Sequence, residues 1–91
     1  MTMRSTIIGN LRDAASDGAG VCSLIAIIKE SMGPETAPFA VMSLLVEAFG
    51  IALADIRELP GARCLGGQVY SNEEIEKLVY PAIQKALGSR H

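Results

Sequence analysis

An all-α fold is what this sequence predicts, and three observations carry the prediction. Apolar residues recur at helical spacing, glycine and proline separate the recurring stretches, and no stretch alternates long enough to make a strand. Composition agrees. Of the 91 residues 49% are hydrophobic but only 4% aromatic, so Leu, Ile, Val, Ala and Met must build the core, which suits packed helices better than a sandwich. A chain of this length is expected to form one domain, burying roughly two-thirds of the surface its unfolded form exposes. About five helices are predicted, with the third central.

The first helix spans about Arg4 to Asp17, sets Ile7, Ile8, Leu11 and Ala15 on one face, and stops at Gly18. The second spans about Gly20 to Met32; Val21, Leu24, Ile25, Ile28 and Met32 form its stripe and Gly33-Pro34 ends it. The third, about Ala37 to Phe49, has Thr36 as its predicted cap and Pro38 in the first turn, where a missing N–H costs nothing. Phe39, Met42, Leu45, Val46 and Phe49 face one way, while Val41, Leu44 and Ala48 make most of the remaining circumference apolar. Such a helix is either central or covered on one side by a second molecule, and a homodimer would supply that cover. After Gly50, a short helix over "IALADIREL" ends at Pro60-Gly61, and "GARCLGGQVY" follows as a glycine-rich loop.

The last helix has the best-marked start. Ser71 and Glu74 make a capping box, Tyr70 and Ile75 occupy the positions of a hydrophobic staple, and Glu73 and Lys77 form an i,i+4 pair. Gly88 stops it. Pro81 lies inside, where its ring removes a hydrogen bond to the Lys77 carbonyl, so the helix is predicted to bend or break and continue kinked.

Ten acids against eight bases, a net charge of -2, give no electrostatic reason to seek a polyanion, and nucleic acid is not favoured. Arg4, Asn10, Arg12 and Asp13 interrupt any leader-like apolar run, so the chain reads as cytoplasmic with reduced thiols. The stretch "APFAVMSLLVEAFGIALA" contains Glu47 and Gly50 and does not read as a membrane span. Cys22 and Cys64, with a single histidine, offer no zinc spacing, and a disulfide between them is possible but unsupported by the sequence. No metal or cofactor is expected. Cys22 reads as a buried, inert thiol. Cys64 stands beside Arg63 but has no base near it in sequence, His91 being terminal, so a thiol enzyme is the weakest reading. In "GARCLGG" the glycines mimic a phosphate loop, but Gly67 stands where lysine is needed, leaving them a conformational role.

In "LLVEAFGIALADIREL", Leu45, Phe49, Gly50, Ile51, Ile56 and Leu59 fall where a helix-turn-helix wants core residues and a turn glycine. The would-be recognition helix offers Ala52, Ala54, Asp55 and Glu58 with Arg57 as its one base, side chains that repel phosphates. A DNA-binding regulator is therefore the alternative reading. The same stretch, followed by the glycine-rich link and "YSNEEIEKLVYPAI", resembles small helical bacterial proteins of the toxin-immunity and accessory type. That resemblance implies a non-catalytic protein that binds another protein, a toxin domain in the immunity case, and carries over no residue-level roles. The residues themselves offer an acidic, tyrosine-bearing surface for a basic partner: Asp55 and Glu58 on the corner, Tyr70 before the last helix, and Glu73, Glu76 and Tyr80 on it.

Overall fold

The apolar stripes fix where helices form, and the computed structural model describes residues 3–33 and 35–88. Pro34, half of the predicted Gly33-Pro34 stop, and His91 lie outside the described residues. Among those described, the α-helices are α1 (Met3–Ser16), α2 (Val21–Met32), α3 (Pro38–Phe49) and α4 (Asn72–Gly88). Three 3-10 segments, Leu53–Ile56, Leu59–Gly61 and Arg63–Leu65, connect α3 to α4. Extended pairing among the described residues is limited to an isolated bridge between Ala62 and Tyr70. The fold is all-α.

α1 packs against α2 and α3, α2 also packs against α4, and the 3-10 segments close over α2, α3 and α4. The Cα radius of gyration, 12.0 Å, is what one compact domain of this length requires, about 12 Å. Leu11, Leu24, Ile28, Leu45, Ile75 and Ile83 are among the side chains with no appreciable exposure. Every predicted stripe residue of α1 is buried, and so is the stripe of α2 up to Ile28; Met32, at the end of its helix, is 46% exposed. On α3, Val41, Met42, Leu44, Leu45, Ala48 and Phe49 are all buried, which makes it the most enclosed helix. Arg12 ties α1 to its end, donating from Nε to the Ala48 carbonyl at 2.7 Å, where a cation also suits the helix dipole. Near the start of α1, Arg4 bonds Glu47 at 2.6 Å and Ser43 at 3.1 Å, both on α3. No described helix is long and apolar enough to cross a membrane.

The ends of α3 and the start of α4 are set by local chemistry, though not always by the residue the sequence predicts. Gly50 ends α3 in the left-handed region (φ 66°) and donates its N–H to the Val46 carbonyl at 2.8 Å, a conformation glycine adopts without the Cβ penalty. The capping box is closed both ways: Ser71 N–H to Glu74 Oε1 at 2.9 Å, and Glu74 N–H to Ser71 Oγ at 3.2 Å. Thr36, however, does not cap α3. The cap position is Ala37, and the Thr36 hydroxyl donates instead to the Gly33 carbonyl at 2.7 Å, rounding the α2–α3 turn.

The corner differs from the helix predicted over "IALADIREL". Leu53–Ile56 and Leu59–Gly61 are separate 3-10 turns. A helix this short is marginal unless its ends are held, and here Asp55 N–H closes on the Ala52 carbonyl at 3.0 Å in an i→i+3 bond while Pro60 bars any continuation. Glycine lets the link fold tightly behind it. A Cβ on Gly67 would sit 2.4 Å from the Gly61 carbonyl carbon, so only hydrogen fits there. α4 runs through Pro81 without a break in its helical assignment, and Glu73 and Lys77 on its surface form no ion pair.

Candidate partner-binding surface

Pro38 opens α3 after an extended Ala37, and that geometry projects Phe39 off the end of the bundle. Phe39 is 67% exposed, although the helical pattern placed it on the core face. Position 39 lies one turn before buried Met42, at the start of α3, where no other described element covers it. Phe39, Pro38, Leu53 and Pro60 instead surround an apolar groove of about 600 Å³, with Met42 in its lining and Arg57 beside it. Leu53 is 45% exposed there. Large apolar side chains gathered at a groove, with a charged rim, are the composition of a recognition surface.

A second groove, about 590 Å³, runs between the corner and α4. Ile51, Ala52 and Asp55 form one wall; Leu78, Pro81 and Lys85 form the other. Pro81 is exposed, so its ring faces this groove and not the core.

The six residues read from sequence as partner-facing do not form one surface. Asp55 is exposed in the second groove. Glu58 is half-buried, with Oε2 3.7 Å from Arg57 Nε and Oε1 buried without a hydrogen-bond partner. Tyr70 packs against the core, its N–H on the Gly61 carbonyl at 2.9 Å and its carbonyl accepting from Arg63 at 3.0 Å. Tyr80 also packs against the core. Glu73 is exposed. By helical spacing Glu73, Glu76 and Tyr80 lie on one flank of the buried Ile75–Val79–Ile83 stripe, and the groove residues Leu78, Pro81 and Lys85 on the other.

Glu76 has a task inside the fold. Its Oε1 accepts from the Val21 N–H at 2.8 Å and its Oε2 from the Cys22 N–H at 3.1 Å. The first turn of α2, preceded by Gly20 with no side chain to cap it, is thus capped by a carboxylate from another helix, which also satisfies the dipole. Glycine at 20 is part of the device, because a Cβ there would lie 2.7 Å from both carboxylate oxygens. Glu76→Ala is expected to cost about 1–2 kcal/mol, as lost caps do. Gly20 has ordinary extended angles (φ -83°), so Gly20→Ser should destabilise the native chain but recover part of the loss in the Glu76→Ala background. Additive effects of the two substitutions in thermal melts would rule out the shared cap.

Cys22 and Cys64, 42 positions apart, lie with their Sγ atoms 3.4 Å from each other. Both are free and half-buried. Burial first, then the hydrogen bond and charge of Cys64, then the Glu76 carboxylate push the Cys22 thiol up from 9.0 to about 12. The folded chain therefore holds this proton more tightly than the unfolded chain. Its contribution to stability is complete below pH 9 and is lost as pH rises from about 9 toward 12. Denaturant melts across that window should show a shallower alkaline decline for Cys22→Ser than for the native chain.

Sequence spacing could not find the thiol pair or the Glu76 cap, since both join residues more than 40 positions apart. Among the described residues no group of three or more His, Cys, Asp and Glu side chains is placed to hold a metal ion. Comparison with known proteins finds no matching family model, no matching curated protein and no matching solved structure.

Proposed function

We propose that this chain is a non-catalytic binding protein that docks a protein partner on the Phe39–Leu53 groove, in the manner of an immunity factor occluding a toxin domain. Phe39 carries the reading. The sequence has two phenylalanines, and one of them stands 67% exposed beside Leu53, Pro38 and Pro60. Enclosing a side chain of that kind returns about 1.5–3 kcal/mol on binding, and aromatic anchors in apolar settings dominate interface energetics. Arg57, its side chain 79% exposed, supplies a charged edge to this groove that sets orientation more than affinity.

The DNA-regulator alternative finds less support, because the segment after the Gly50 corner is a four-residue 3-10 turn and not the α-helix that enters a major groove.

Phe39→Asp tests the reading. Phe39 is exposed, so the variant should keep its circular dichroism and melting temperature. Co-expressed with the product of an adjacent toxin-like reading frame, it should lose at least tenfold in affinity relative to the native chain. Equal binding by both would remove the groove from the interface. Sedimentation of the free chain separates the other occupant, a second copy of itself: a monomer at micromolar concentration leaves the groove to a different protein.

A further inference from the structure

We propose that Cys22 and Cys64 form a reversible dithiol–disulfide site that takes its oxidising equivalents from small disulfides of the glutathione type. This inference is independent of the partner-binding reading.

Geometry carries it. The Sγ atoms are 3.4 Å apart, so bond formation at about 2.05 Å needs an approach of little more than an ångström, within reach of side-chain rotation. Each cysteine is positioned by contacts of its own. Cys22 sits in the first turn of α2, its N–H on Glu76 Oε2 at 3.1 Å. Cys64 lies in the Arg63–Leu65 turn, and its carbonyl accepts from Lys29 Nζ at 2.7 Å. Lys29 is two turns along α2 from Cys22, so one helix carries the first thiol and grips the backbone of the second. The turn is closed behind Cys64 by Gly66 in the left-handed region (φ 86°), its N–H on the Arg63 carbonyl at 3.0 Å. Neither cysteine residue is fully buried.

The chemistry proceeds by two exchanges. The Cys64 thiolate attacks one sulfur of the small disulfide RSSR; its proton goes to solvent, a mixed Cys64–S–S–R disulfide forms, and RS⁻ leaves. Cys22 then attacks the Cys64 sulfur, loses its own proton, and expels the second RS⁻. Two protein thiols are oxidised by two electrons, and RSSR is reduced to two RSH. The order follows from the tight hold on the Cys22 proton, pushed up to about 12 chiefly by burial and by the hydrogen bond that Cys22 donates to Cys64. Capping Cys64 with R removes the contributions of Cys64 to the hold on the Cys22 proton, while burial still acts.

The reduced full-length chain, incubated with oxidised glutathione and then acid-quenched and alkylated, gives the test. The expected product is a monomer lacking two hydrogens, with a Cys22–Cys64 linked peptide in a non-reducing map and a Tm raised by on the order of 10 °C, since the bond closes a long loop of the unfolded chain. Dithiothreitol should reverse both changes. Cys22→Ser should stop at a glutathione adduct on Cys64, and Cys64→Ser should react at least tenfold more slowly at Cys22; circular dichroism establishes that both variants fold. Stable glutathione adducts on both cysteines of the native chain, disulfide-linked dimers, or no reaction over hours would each overturn the proposal.

Discussion

Leu45→Ala is expected to lower stability by about 2–5 kcal/mol, enough to leave the chain largely unfolded at physiological temperature if its total stability is ordinary for a small domain. Leu45 has no exposure and lies on α3 between buried Leu44 and half-buried Val46. Leu44 and Leu45 point to adjacent sectors of the broad buried face of α3, where close-packed neighbours relax only partly into a void. The loss therefore includes both the transfer of the missing methyl groups and the cavity they leave. Chemical denaturation read by circular dichroism is the measurement. A midpoint within error of the native chain would place Leu45 outside the cooperative core.

Pro81→Ala is expected to act in the opposite direction. Proline in a helix interior is about 3 kcal/mol less favourable than alanine, and α4 continues on both sides of it. Alanine restores an N–H able to bond the Lys77 carbonyl. Pro81 is exposed, so no buried packing is lost, and a gain of about 1–3 kcal/mol is expected, with Tm higher by several degrees. What the substitution removes is a ring from the wall of the second groove, beside Ile51 and Leu78. If that groove also receives the partner, the variant melts higher and binds more weakly. If the ring merely occupies surface, it melts higher and binds as before. A lower Tm would show that the ring's contacts outweigh the restored hydrogen bond.

What could be read from the sequence is what is decided within about four residues. The stripe of α1, the Ser71–Glu74 capping box and the Gly50 stop all depend on neighbours along the chain, and all are found. Phe39 was misplaced because periodicity gives the direction of a side chain but not whether another element extends far enough to cover it. The apolar residues Ile51, Ile56 and Leu59 of the corner predict an α-helix and are indeed buried; Asp55 and Pro60 decide the tighter winding. Of the six residues predicted to meet a partner, Glu73 and Asp55 are exposed, whereas Tyr70 and Tyr80 lean on the core. A surface pattern cannot reveal that a carboxylate such as Glu76 is answering backbone N–H groups 54 and 55 positions away.

That carboxylate also bears on how the chain folds. α1, α2 and α3 are consecutive and can associate through short loops, but the opening turn of α2 has no terminator until a segment 55 residues downstream has been synthesised and docked. Closing so long a loop is entropically late. The first turn of α2 is therefore expected to be frayed in the transition state, so that Glu76→Ala should accelerate unfolding in stopped-flow measurements while leaving the refolding rate nearly unchanged.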